Sequence, residues 1–121
     1  GSEYFASNYD PHIWFDLYYW NDITVYVTKS LSELDPENAA AFEVNRDVYL
    51  KKLKELKIDL DKKIAELPRE KRILVTAHDA FNYYGIGGEL FSDALGSAGT
   101  AEGTYIGMYK HNVNTIVNAL K

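Results

Sequence analysis

Three histidines and no cysteine set the limits of the metal chemistry open to this 121-residue chain. Without thiolate, the strong ligands left are imidazole and carboxylate, donors that suit Zn²⁺ when sulfur is absent. His12 lies in the string Asp10-Pro11-His12-Ile13-Trp14-Phe15-Asp16. It reads either as a capping residue at the start of a buried aromatic helix or as a ligand. His78 closes the β-favouring run Arg72-Ile73-Leu74-Val75-Thr76-Ala77, and ligands gather at the carboxyl ends of strands in open α/β sheets. Asp93 ends a second, weaker run, Glu89-Leu90-Phe91-Ser92, where it also suits a cap. His111 is expected on the exposed side of a last helix.

Other chemistry finds little support. The sequence has no Gly-x-Ser-x-Gly elbow, phosphate-binding glycine loop or His-Glu-x-x-His pair. Gly85-Ile86-Gly87-Gly88 lacks the motif that should follow such a loop. A zinc hydrolase would need a general base beside its metal, and Glu89 or Asp79 could be nominated.

The elements that must position these residues follow from periodicity. Leu17, Trp20, Thr24, Val27, Leu31 and Leu34 recur at steps of three and four, predicting a helix that stops near Asp35-Pro36. A second helix should follow at once, with Pro36 and Glu37 in its first turn and its end at Leu67-Pro68. Its dry face would carry Phe42, Tyr49, Leu53, Leu56, Leu60, Ile64 and Leu67. The seven Lys and Arg residues from Arg46 to Lys63 alternate with acids and read as its solvated face. Next come the strand at 72–77, a short helix at 79–84 capped by Asp79, a glycine break, and the strand at 89–92. A loop over 96–103 leads to an amphipathic helix over 104–121, with Ile106, Tyr109, Val113, Ile116, Val117 and Leu120 apolar. Trp14, Phe15, Tyr18, Tyr19 and Trp20 are expected in a core or a lobe interface, and an uncovered aromatic patch predicts self-association.

Composition bounds the rest. Hydrophobic residues at 46% and charged residues at 26% fit one globular domain over 1–121 with a sizeable core. Within it, 1–9 form a lead-in, 10–67 two long helices, and 68–121 a strand-helix-strand-loop-helix unit. A net charge of −5 argues against nucleic acid, which normally needs a basic face. No stretch approaches the roughly 20 apolar residues of a membrane span, and no leader precedes the first motif, so a soluble chain is expected. Gly1-Ser2 reads as a scar left by tag removal.

Three strings, in order, resemble a known family. Asp10-Pro11-His12-Ile13-Trp14-Phe15-Asp16, Val75-Thr76-Ala77-His78-Asp79-Ala80-Phe81 and Gly88-Glu89-Leu90-Phe91-Ser92-Asp93-Ala94-Leu95-Gly96 are similar to signatures of the C-terminal lobe of TroA-type solute-binding proteins of zinc and manganese ABC importers. Glu102-Gly103-Thr104-Tyr105-Ile106-Gly107-Met108 with His111-Asn112 resembles that family's closing segment. The resemblance implies that His12, His78 and Asp93 each ligate a divalent transition metal. It implies a fourth ligand, a histidine of an N-terminal lobe this sequence does not contain. It also implies docking on an importer permease and a periplasmic or extracellular lipid-anchored location. Between Tyr84-Gly85 and Gly87-Gly88-Glu89 the family carries several dozen further residues, so the chain looks like an engineered or fragmentary lobe with its middle excised.

The expected fold is therefore α/β and helix-rich: a truncated open-sheet lobe with two long N-terminal helices, two short strands and a C-terminal helix. Two imidazoles and one carboxylate suit Zn²⁺, with Mn²⁺ the alternative, and leave a fourth tetrahedral position for another donor or water. The imidazole at 78 leans towards zinc, since carboxylates suit manganese. Parallel strands need a crossover of about a dozen residues, and only the ten from Asp79 to Gly88 are available. Antiparallel strands would put His78 and Asp93 about 15 Å apart, while exchange of elements between two copies would cover exposed strand edges. The expected function is non-enzymatic binding of a divalent metal. The alternatives are an oligomeric helical scaffold with idle ligand residues or, last, a zinc hydrolase.

Overall fold

A computed structural model describes residues 12–72 and 90–121. The architecture of the described residues is helix-rich: α1 (Leu17–Leu34), α2 (Ala39–Ala65) and α3 (Tyr105–Leu120), with short 3-10 turns beside their ends. Helix α1 packs along α2, and α2 along α3.

Each helix begins where its sequence carries a start signal. Asp16 caps α1, its Oδ1 accepting from the amides of Tyr18 at 2.7 Å and Tyr19 at 3.3 Å. The helix stops at Asp35 because Pro36 follows, and Pro36 opens a 3-10 turn, Pro36–Asn38, leading into α2. At the far end of α2 the Leu67 carbonyl accepts from Arg72 Nε at 3.0 Å and Nη2 at 2.7 Å. Thr104 caps α3 by accepting from the Gly107 amide at 3.1 Å. The preceding loop is tight: a Cβ at Gly107 would lie 1.8 Å from the Ala101 carbonyl oxygen, so only glycine allows this approach.

The core lies between the C-terminal half of α2 and α3. Leu53, Leu56, Leu60 and Leu67 bury against Tyr105, Met108, Tyr109, Val113, Ile116 and Val117, with Phe15 inserted from the turn before α1. The dry face expected for α2 is thus present from Tyr49 to Leu67, while Phe42 lies outside this cluster. On α1, Leu17 and Trp20 pack onto this core, and Thr24 and Thr28 satisfy their hydroxyls on carbonyls four residues back at 2.8 Å each. The distal half of the expected α1 face differs. Val27, Leu31 and Leu34 are exposed, Leu34 at 82%, because α3 runs beside the C-terminal half of α2 and a two-helix hairpin alone cannot cover them.

The strand expected at 72–77 and the helix expected at 79–84 lie beyond Arg72, outside the described residues. The described part of the second strand, 90–92, is not a strand. Phe91 has instead given both backbone groups to a side chain: its N–H donates to Asn112 Oδ1 at 3.0 Å and its carbonyl accepts from Asn112 Nδ2 at 2.8 Å. No helix among the described residues is long and apolar enough to cross a membrane.

Candidate metal centre

His12 precedes a single 3-10 turn, Ile13–Phe15, and makes no side-chain capping bond; the capping role belongs to Asp16. His12 thus stands at the start of a helical turn, while the side-chain cap of α1 comes from Asp16. Its half-buried imidazole stands edge-on to Trp14, with ring centroids 5.2 Å apart at 74°. Trp14 then reaches 78 residues along the chain, its indole N–H donating to the Ser92 carbonyl at 2.9 Å. The Ser92 hydroxyl donates to Asp93 Oδ2 at 3.1 Å. A continuous line of contacts thus runs from the His12 ring through Trp14 and Ser92 to the Asp93 carboxylate. His12 and Asp93 both take part in further interactions.

Helix α3 holds both ends of that line. The Tyr105 hydroxyl donates to the Trp14 carbonyl, and the Tyr109 hydroxyl to the Phe15 carbonyl at 2.7 Å. The Tyr105 ring also stacks on Trp20, centroids 4.3 Å apart at 9°. Burial pushes the Tyr105 phenol well above its usual ionisation range, so it acts as a fixed donor. One turn further along α3, Asn112 grips Phe91.

His111 differs from its expected exposed position. It is half-buried, with Phe91 edge-on at 5.2 Å and Glu102 Oε1 3.8 Å from its Nδ1. The segment before Asp93 folds back over α3, a contact that helical spacing does not report. Of the aromatics near His12, Phe15 is buried and Trp14 and Trp20 pack on the core, while Tyr18 and Tyr19 are exposed.

His78 lies outside the described residues, as do Asp79 and Glu89. Among the described residues no three His, Asp or Glu side chains group as a cation site. Trp14, Tyr105, Tyr109 and Asn112 tie these segments together, and none is of the strong ligand types that the sequence singles out. Asn112 alone leaves a signal in the sequence: an amide within an apolar helical stripe must have buried partners.

Comparison with known proteins bears on this arrangement. The family profile described as ZnuA, zinc-uptake complex component A, periplasmic, matches residues 1–87. The zinc-binding protein TroA of Treponema pallidum is 31% identical over 179 aligned positions, covering 94% of this chain and 58% of that protein. The manganese-binding lipoprotein MntA of Bacillus subtilis is 30% identical over 181 positions, covering 96% and 59%. The solved structure of periplasmic TroA from Treponema pallidum superposes with a TM-score of 0.89 at 32% identity, over 95% of this chain and 65% of that one. The chain spans less than two thirds of the length of these relatives. The two alignments exceed its 121 residues, so each relative has positions with no counterpart here.

Proposed function

This chain belongs to the ZnuA family of periplasmic zinc-uptake components, and from that premise we propose that it is the divalent-metal-binding lobe of a solute-binding protein serving an ABC importer. The family consists of metal-binding transport components and not of enzymes, so the hydrolase reading falls away. The ion is cargo. His12, His78 and Asp93 offer it two neutral imidazoles and one carboxylate, a donor set that fits Zn²⁺, with a fourth position left for water or a donor from elsewhere. Zinc is favoured by the imidazole at 78, while manganese is what the name of the relative MntA states for that protein.

The observation that carries this reading is the Trp14 to Ser92 hydrogen bond, which ties the His12 segment to the residue before Asp93. Loss of an internal segment near Gly87 is supported by the profile match ending at residue 87 and by alignments longer than the chain. We place the protein in the periplasm or lipid-anchored outside the cell, docking on a permease, by its likeness to the relatives.

Calorimetric titration with Zn²⁺ tests the proposal. We expect one site in the unaltered chain and at least about tenfold weaker binding in His78→Ala. Equal heats from both proteins, or none from either, overturn it. A second reading, an oligomeric helical scaffold, draws on exposed Tyr18, Tyr26 and Leu34. Light scattering after size exclusion, with and without chelator, separates the two, since a metal-independent oligomer that binds no Zn²⁺ favours the scaffold.

A further inference from the structure

We infer that Asn112 is a positioning residue for Asp93, setting the place of that carboxylate through the backbone of Phe91. The inference rests on the metal-binding reading above. Asn112 is fully buried, at 0% exposure, within the apolar stripe of α3 between Met108 and Ile116. An apolar residue of similar size would suit that stripe better, because a buried amide costs free energy unless its donor and acceptor are both used. Here both are used on a single residue: Oδ1 accepts from the Phe91 N–H and Nδ2 donates to the Phe91 carbonyl. Nδ2 also lies 3.3 Å from Met108 Sδ.

Two antiparallel bonds to one residue fix orientation as well as position, as a neighbouring strand does for a hydrogen-bonded pair. The preceding residue of α3, His111, meets the Phe91 ring edge-on, so Phe91 is held by backbone and ring from one helix. Ser92 is held in turn by Trp14. Asp93 follows immediately, its Oδ2 accepting from the Ser92 hydroxyl at 3.1 Å, and it takes part in further interactions. The two pinned residues before it set where its backbone lies and so contribute to the aim of its carboxylate. Groups that orient a metal ligand in this way are worth about 10- to 100-fold in metal affinity.

A double-mutant cycle read by Zn²⁺ calorimetry tests the inference. Asn112→Leu keeps the bulk and removes both bonds; it should weaken Zn²⁺ binding about 10- to 100-fold. If Asn112 acts through Asp93, adding Asn112→Leu to Asp93→Ala should cause no further loss. Ile116→Val on the same helix controls for general loosening of the core and should leave affinity within about threefold of the unaltered chain. If Asn112→Leu fails to fold, Asn112→Ala takes its place with the same expectation. Unchanged affinity on loss of Asn112, or an equal further loss in the Asp93→Ala background, overturns the inference. Equal binding by the unaltered chain and Asp93→Ala instead defeats the assignment of Asp93 as a ligand. That failure is visible before Asn112 is touched.

Discussion

The phenol of Tyr109 donates to the Phe15 carbonyl at 2.7 Å, a buried bond that joins α3 to the turn after His12 across 94 residues of sequence. Tyr109→Phe keeps the ring and removes the donor. It should lower stability by about 1–2 kcal/mol, read as a lower urea midpoint at unchanged slope. An unaltered midpoint would show that the bond contributes nothing net.

Asp16 and His12 should separate cleanly. Asp16→Ala deletes the cap of α1 and should cost about 0.5–2 kcal/mol, with faster amide exchange at Tyr18 and Tyr19. His12→Ala leaves those cap bonds in place, so its effect should fall on Zn²⁺ affinity. Protected Tyr18 and Tyr19 amides in Asp16→Ala would contradict the capping assignment.

Stability should decline in alkali through Tyr105. Burial raises its ionisation above the ordinary value, so the folded chain keeps a proton that the unfolded chain loses from about pH 10 upward. The contribution is complete below that pH and fades as pH rises beyond it. The fall in urea midpoint between about pH 9 and pH 11 should therefore be smaller in Tyr105→Phe than in the unaltered chain. An identical fall in both would remove Tyr105 from the account.

Acid should act on a different contact. Glu66 is held below the usual carboxylate range chiefly by its hydrogen bond from Lys121, at 2.7 Å, with a further one from Lys63. A depressed carboxylate stabilises the fold above its unfolded value, and that part disappears as pH falls through its folded value. Glu66→Gln should flatten the acid limb of the stability profile in that window. A limb of the same steepness would show the pair to be without net effect.

Gly107→Ala should be poorly tolerated, because its Cβ would fall against the Ala101 carbonyl that packs over the first turn of α3. Moving the 101–103 turn aside should cost about 1–3 kcal/mol, measurable as a reduced thermal midpoint. A thermal midpoint equal to that of the unaltered chain would mean the turn shifts freely.

The helices are legible in the sequence because apolar residues recur at three and four and capping residues stand at their starts. Asp16 and Thr104 announce α1 and α3, and the leucines of α2 predict its buried side. Periodicity marks a face as apolar without giving the length of its partner, so Leu34 is exposed where the pattern makes it dry. The motifs carrying His12, His78 and Asp93 are legible as strings. What sets Asp93 in place is not: side-chain bonds to backbone, such as Asn112 to Phe91 across 21 residues, have no period. His111 falls outside the apolar stripe by spacing, yet Phe91 arrives from another segment to cover it.

The anchoring of the first motif by α3 bears on how the protein is made. The segment with His12 is made before α3, whose Tyr105, Tyr109 and Asn112 supply the hydroxyls and amide that fix it and the segment before Asp93. Chains fold as they emerge, so the contacts that hold these two segments cannot all form until α3 has been made. A nascent chain that has not yet extended through α3 should therefore leave the His12 segment unanchored.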